Sequence, residues 1–190
     1  FAGNKIKVPE GKVKKLKEND SETYGYVSWE EVDQWIEYMA SLPERQNPKR
    51  KATLLHIARM TGIRKTGLAN LRFKDLRKEN GLWVLYHSIK GKRHRIALNE
   101  REANMMLSLK ETDDPEEKIF KMSTKTIERM LNQIKEHFQI PEERNVVFHS
   151  IRGLSGYEAY LASGNDIIVA QKHLGHSDIR TTHNYISKIE

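Results

Sequence analysis

Residues 26–190 predict an α+β fold, mainly α with a small antiparallel β-sheet, and three observations carry that prediction. Over most of the chain apolar residues recur at three- and four-residue intervals, the period of an amphipathic helix. Between residues 71 and 99 the period changes. LRFKDL (71–76), LWVLYHSI (82–89) and HRIALN (94–99) are strand-like, with the turn residues Asn80-Gly81 and Lys90-Gly91 between them. Beyond residue 99 only helical periods follow, so the sheet is small and helices build the rest.

In chain order, residues 1–25 are lysine-rich with little apolar periodicity and read as a linker or flexible arm. The domain, residues 26–190, opens with VSWEEVDQWIEYMASL (27–42). Ser28 with Glu31 three residues on is a capping box, and Val32, Trp35, Ile36 and Met39 fall on one helical face. A second helix over about 50–60 turns Leu54, Leu55 and Ala58 inward and ends near Gly62; a short one follows over 63–70. After the three strands, helices are predicted at 100–110, 124–138, 149–163 (closed by Gly164), 166–174 (closed by Gly175) and 178–187. Trp29, Trp35 and Trp83 read as core or core-edge, and Tyr157 and Tyr160 as packing inward with Leu154 and Leu161.

Composition narrows the function. The 190 residues hold 33 Lys+Arg against 26 Asp+Glu, a net charge of +7, and the basic residues cluster. Residues 1–18 carry six lysines and two acids, and PKRK (48–51) and KGKRHR (90–95) follow. Three such clusters favour a polyanion, since phosphate neutralisation supplies most of non-specific DNA affinity. Candidate DNA contacts are Lys49, Arg50, Lys51, Lys65, Lys92, Arg93 and Arg95. The absence of cysteine excludes disulfides, thiolate nucleophiles and Cys-ligated zinc. No apolar run approaches the roughly 18 residues of a membrane span, and no hydrophobic signal segment is present, so the chain reads as soluble and intracellular. Its first residue is Phe, which reads as a fragment or a processed chain.

The chemistry concentrates near the end. FHSIRG (148–153) places His149 and Arg152 three apart at a helix start, where an i, i+3 pair faces one direction and the helix N-terminus favours an anion. HLGHSDIRTTHNY (173–185) then supplies His176 and Tyr185. These four side chains are candidates to converge on one phosphate. His173 and His176 share an i, i+3 spacing, but Gly175 interrupts the helix between them and no Cys or well-placed carboxylate completes a metal set. His183 and Thr181-Thr182 read as helix surface and cap. H-x-x-R or a lone tyrosine is weak by itself; order and spacing together add the weight.

Taken in order, the motifs resemble the catalytic domain of the tyrosine recombinase (phage integrase) family. HSIR is followed by a helix, a Gly turn, LGHS and a tyrosine nine residues after His176. TGIRKTGLANL (61–71) matches the family's upstream T-G-[LI]-R and carries Arg64. IKGKRHRIAL (89–98) matches its lysine turn, with Lys90 at the catalytic position and Lys92 close enough to compete for it. The resemblance spans about residues 27–189. Two positions depart from the family: Gly67 stands where an acidic residue usually follows the first arginine, and Gly153 where a histidine often follows H-x-x-R.

The resemblance implies a site-specific recombinase that cuts DNA through a 3′-phosphotyrosyl intermediate and a Holliday junction. Catalytic residues would be Arg64, Lys90, His149, Arg152, His176 and Tyr185. Tyr185 would be the nucleophile and Lys90 the acid for the leaving oxygen. His149 would serve as acid/base, and His176 would hydrogen-bond the phosphate. Arg64 and Arg152 would hold the non-bridging oxygens, so no metal and no cofactor are expected; no phosphate-binding loop for ATP is present either. The partners implied are double-stranded DNA recombination sites, a tetramer on DNA from a monomeric isolated domain, and accessory DNA-bending proteins. The location implied is the cytoplasm of a host cell. The first 25 residues would be the linker from a missing N-terminal DNA-binding domain. The short tail after Tyr185 leaves no room for a long neighbour-contacting segment. Rival readings are a helix-turn-helix regulator using residues 57–73, a type IB topoisomerase-like strand transferase and a relative that no longer cuts DNA.

Overall fold

The computed structural model describes residues 24–176 and 178–187. Helix α1 spans Trp29–Ala40, and its capping box is formed in both directions: Ser28 Oγ accepts from Glu31 N at 3.1 Å, and Glu31 Oε2 accepts from Ser28 N at 2.9 Å. Helix α2, Pro48–Thr61, begins on a proline that pre-sets the first turn and ends at Gly62 in the left-handed conformation. Leu54, Leu55, Ile57 and Ala58 are all buried, covering more than one face. A helix apolar on several sides belongs at the centre of a domain, and α1 packs along this one. Helix α3 is Lys65–Asn70.

The sheet has the order β1 (Leu76–Glu79), β2 (Leu82–Ile89), β3 (Lys92–Leu98), antiparallel throughout, with Leu76 opposite Leu85 and His87 opposite His94. Both tight turns have two residues with positive φ, Asn80 (50°) with Gly81 (81°) and Lys90 (48°) with Gly91 (76°), as two-residue hairpins of right-handed twist require. The stretch 71–76 is not a strand until its last residue. The Asp75 carboxylate accepts from Arg72 N at 3.0 Å and closes a turn of 3₁₀-helix over Phe73–Asp75. Leu71 O and Phe73 N instead bond the loop at Ile119 (2.9 Å) and Glu117 (3.1 Å).

The remaining helices are α4 (Glu100–Leu107), α5 (Thr124–His137), α6 (His149–Ala162), α7 (Ile167–Leu174) and α8 (Ile179–Ser187). Trp35, Phe120, Leu68, Leu85, Met106 and Ile127 close the core, which lies between α1, α2, α5 and the inner sheet face. Trp35 is core, and Trp29 and Trp83 lie at its edge. Tyr157 and Tyr160 are only partly buried and stack on each other at 6.2 Å, while Leu161 is exposed; of the four residues expected to pack inward, Leu154 alone is fully buried.

Arg50 is also placed differently from expectation. Its guanidinium donates to Ile119 O at 2.7 Å and to Glu111 Oε1 at 2.6 Å, and its side chain is 11% exposed. It ties the 109–121 loop to the start of α2 and is not presented as a surface phosphate contact.

Candidate active site

Three helix ends meet at one cleft. The C-terminus of α2 delivers Gly62 and then Arg64, the first turn of α6 carries His149 and Arg152, and the C-terminus of α7 is followed by Gly175 and His176. Leu174 fixes this geometry. It is buried against Gly62 and Gly156; a Cβ at Gly156 would come within 2.5 Å of Leu174 Cδ1. Arg152, 3% exposed, completes the junction by donating from Nη1 to Gly62 O at 2.6 Å and from Nη2 to Leu174 O at 2.5 Å. A buried cation therefore sits on the carbonyl ends of two helices, where the helix dipoles are negative. A guanidinium has five N–H donors, so these two bonds orient the fork without exhausting it.

The cleft is about 460 Å³ and is lined by Tyr24, Arg64, Lys65, Asn132, His149 and Arg152, among others. His176 lies within the field of the same groups. Burial first, then the charges of Arg152, Arg64 and His149, push it down to about 3. His176 Nδ1 lies 2.8 Å from Thr182 Oγ1 on α8. His173 has a different partner, its Nε2 lying 2.8 Å from Ser155 Oγ on α6. Among the described residues no group of three His, Asp or Glu is placed to hold a metal ion.

Lys90 is at the exposed tip of the β2–β3 turn, outside the cleft lining, and Lys92 is equally exposed on the other side of Gly91. The hairpin is nevertheless seated on the site. A Cβ at Gly175, whose φ is +65°, would lie 2.8 Å from Ile89 Cδ1 and 3.4 Å from His94 Nδ1. Glycine thus serves both the left-handed turn and the close approach of the hairpin. Tyr185 belongs to α8, and its side chain lies outside the described residues. Gly67 also has a structural reason: a Cβ there would meet Ile63 Cγ2 at 2.7 Å, so the acidic side chain usual in the resemblance would require Ile63 to shift.

Several contributors were not legible as such. Tyr24, read as part of the arm, rests its ring 4.9 Å from that of His149, and Gly25 N donates to Asn145 O at 2.8 Å. A Cβ at residue 25 would fall 1.7 Å from Arg144 O, so only glycine passes there. Residues 1–23, the rest of the arm, lie outside the described residues. Thr182, read as surface or cap, is fully buried. His87 on β2 faces His94, Arg152 and Arg64; burial first and then those charges hold it at about 4. Its signal in the sequence was only its position opposite His94 on paired strands.

The DNA-contact candidates divide in two. Lys65 lines the cleft and pairs with Glu128, and Lys92, Arg93 and Arg95 are exposed on β3 beside it, Arg93 lying 4.1 Å over the Tyr86 ring. Lys49, Arg50 and Lys51 sit at the opposite end of α2, about 20 Å away by helical rise. Lys49 donates to Ser108 O at 3.3 Å, and burial lowers the ammonium pKa of Lys51. The helix-turn-helix reading of 57–73 fails here, since α2 is buried in the core and α3 has only six residues. Among the described residues no helix is long and apolar enough to cross a membrane.

The depressed histidines make stability depend on pH. Unfolded histidine titrates near 6.5, so below that value the unfolded chain binds more protons than the folded one. The stability that His87 and His176 confer is complete above pH 6.5 and is lost as the pH falls toward their folded values of about 4 and 3. Allowing for solvent screening, going from pH 7 to 5 is expected to remove on the order of 1 kcal/mol per histidine. A thermal-denaturation series checks this: the melting temperature falls over that interval, and His87→Asn makes the fall shallower.

Comparison with known proteins agrees with this geometry. Residues 26–190 match the model of the phage integrase family. The SPbeta prophage-derived probable integrase/recombinase YopP of Bacillus subtilis (strain 168) is 30% identical over 150 residues, 76% of this chain and 42% of that protein. Tyrosine recombinase XerA of Saccharolobus solfataricus is 26% identical over 125 residues, 66% of this chain and 41% of that protein. A crystal structure of XerA recombinase superposes with a TM-score of 0.65 at 26% identity, covering 85% of this chain and 59% of that one. XerH bound to palindromic difH substrate, a post-cleavage complex, shares the fold with a TM-score of 0.68 at 19% identity, covering 87% and 50%. The chain spans less than half the length of the curated relatives it matches. With the family model covering residues 26–190, the chain belongs to the phage integrase family and has the tyrosine recombinase catalytic-domain fold.

Proposed function

We propose that this chain is the catalytic part of a site-specific DNA recombinase acting on double-stranded DNA. The observation that carries the reading is the convergence of Arg64, His149, Arg152 and His176 at three helix ends, with Tyr185 in the helix that follows. In the reaction Tyr185 Oη attacks a DNA phosphorus, the P–O5′ bond breaks, and a 3′-phosphotyrosyl bond and a 5′-hydroxyl result. The phenol proton passes to His149 and a proton from Lys90 reaches the leaving oxygen. Arg64 and Arg152 hold the non-bridging oxygens as negative charge builds, a role suited to planar forks that stay charged. The phosphotyrosyl bond conserves the energy of the broken one, so attack by another strand's 5′-hydroxyl rejoins DNA without ATP.

Exchange between two duplexes through a Holliday junction needs four such sites, hence a tetramer assembled on DNA from chains that are monomeric alone. Accessory DNA-bending proteins would assist, in the cytoplasm of the host cell. Lys65 and the β3 residues Lys92, Arg93 and Arg95 would contact the backbone, with the lysines of residues 1–25 as a basic arm.

The reading is tested with a nicked suicide duplex bearing the element's own ends, in the presence of chelator. A detergent-stable protein–DNA adduct is the expected product; DNA binding without any adduct on authentic ends refutes cleavage. The same duplex separates Lys90 from Lys92. Lys90→Ala is expected to slow adduct formation by about 10²- to 10⁴-fold. A bridging 5′-sulfur should restore the rate, because a thiolate leaves without a proton. Lys92→Ala should remain near wild type; the reverse pattern would make Lys92 the acid.

A further inference from the structure

Thr182 is absent from the proposed catalytic set, yet its hydroxyl touches the His176 ring. Its side chain is fully buried, and its hydroxyl has one hydrogen-bond partner among the described residues, His176 Nδ1 at 2.8 Å. A hydroxyl carries one proton and accepts through its lone pairs, and a neutral imidazole has one N–H and one bare nitrogen. Were Nδ1 the donor, the hydroxyl proton of Thr182 would be buried without an acceptor, a costly arrangement. With the hydroxyl donating, its proton and the bare Nδ1 are both paired, and the imidazole proton resides on Nε2. His176 is neutral in the working range, since burial and the cations Arg152 and Arg64 oppose a further charge.

We infer that Thr182 is a positioning residue that donates its hydroxyl hydrogen bond to His176 Nδ1, fixing the neutral imidazole as the Nε2–H tautomer. The consequence for catalysis rests on the function proposed above. An Nε2–H is the donor that a phosphate oxygen in the cleft requires, and the opposite tautomer would present a lone pair to that oxygen instead. Thr182 stands three residues before Tyr185 on α8, so the same bond ties the phosphate-binding histidine to the helix of the nucleophile. Displacing α8 would release the tautomer lock at the moment the nucleophile left, so the donor is held in place only while the helix is docked.

Side-chain nitrogen NMR on the full chain without DNA tests the inference directly. Long-range proton–nitrogen correlations of His176 are expected to show Nε2–H in the wild type and in Thr182→Ser. Thr182→Val, which keeps the volume and removes the hydroxyl, is expected to give a mixture of tautomers. In the suicide-duplex assay the valine variant should lose about 10- to 100-fold in adduct rate at unchanged DNA affinity, with serine largely restoring it. A wild-type spectrum showing Nδ1–H overturns the inference whether or not the valine variant folds. So does a valine variant with the wild-type tautomer, or a serine variant that behaves like valine. A wild type with the Nε2–H form that makes no adduct on its own ends would leave this assignment standing and refute the recombinase reading instead.

Discussion

Tyr185→Phe is expected to abolish the covalent protein–DNA adduct while leaving folding and DNA binding intact. The substitution removes one oxygen, the atom proposed to form the new bond to phosphorus, and keeps the ring. No other side chain of this chain stands at the family's nucleophile position, nine residues after His176. The route of delivery follows from the fold. Helix α8 packs on α6 and α7 of its own chain, with Thr182 and Ile186 buried and Thr182 bonded to His176. Tyr185 should therefore act in cis. Mixing Tyr185→Phe chains with chains lacking Arg152 should leave cleavage absent, whereas recovery of adduct in the mixture would demonstrate delivery between chains.

Arg152→Ala carries the second large effect, on activity and stability together. Removing one donor aimed at developing charge costs about 10²- to 10³-fold in rate, and Arg152 supplies a full charge as well as a fork. Its loss also strips two helix-end carbonyls, Gly62 O and Leu174 O, of their partner. A penalty on the order of 3 kcal/mol follows from leaving them buried and unpaired. For a chain of this size that corresponds to roughly 6–12 °C in melting temperature. Arg152→Lys keeps the charge but cannot reach both carbonyls and the phosphate, so it should recover part of the stability and little of the rate. Differential scanning calorimetry beside the adduct assay separates the two effects. An alanine variant that melts like the wild type would mean that Arg152 does not hold α2 and α7 together.

Local rules made much of this legible in the sequence. The Ser28–Glu31 box, the glycines at 62 and 175 and the turn pairs at 80–81 and 90–91 all mark element ends through backbone chemistry confined to a few residues. The order of Arg64, the lysine turn, His149, Arg152, His176 and Tyr185 led to the right family. What escaped was decided by long-range packing. LRFKDL alternates well enough for a strand, but the 115–119 loop took its backbone bonds. Arg50 sits in a basic run that reads as surface, and only the return of the 109–121 loop draws its guanidinium inside. Thr182 looked like a cap because nothing local reveals that α8 lays it against His176. Tyr24 ended a lysine-rich arm, and its place beside His149 depends on Gly25 passing the Arg144 carbonyl.

Mapping the trapped adduct shows whether Tyr185 forms the bond to DNA. Wild-type protein is incubated with the suicide duplex in chelator, and the complex is digested with nuclease and trypsin. Cleavage after Arg180 and Lys188 releases the peptide TTHNYISK, which holds one tyrosine. The expected result is a nucleotide mass on that peptide, at Tyr185. Modification of any other peptide, or unmodified TTHNYISK from a preparation that has cut its DNA, would contradict it.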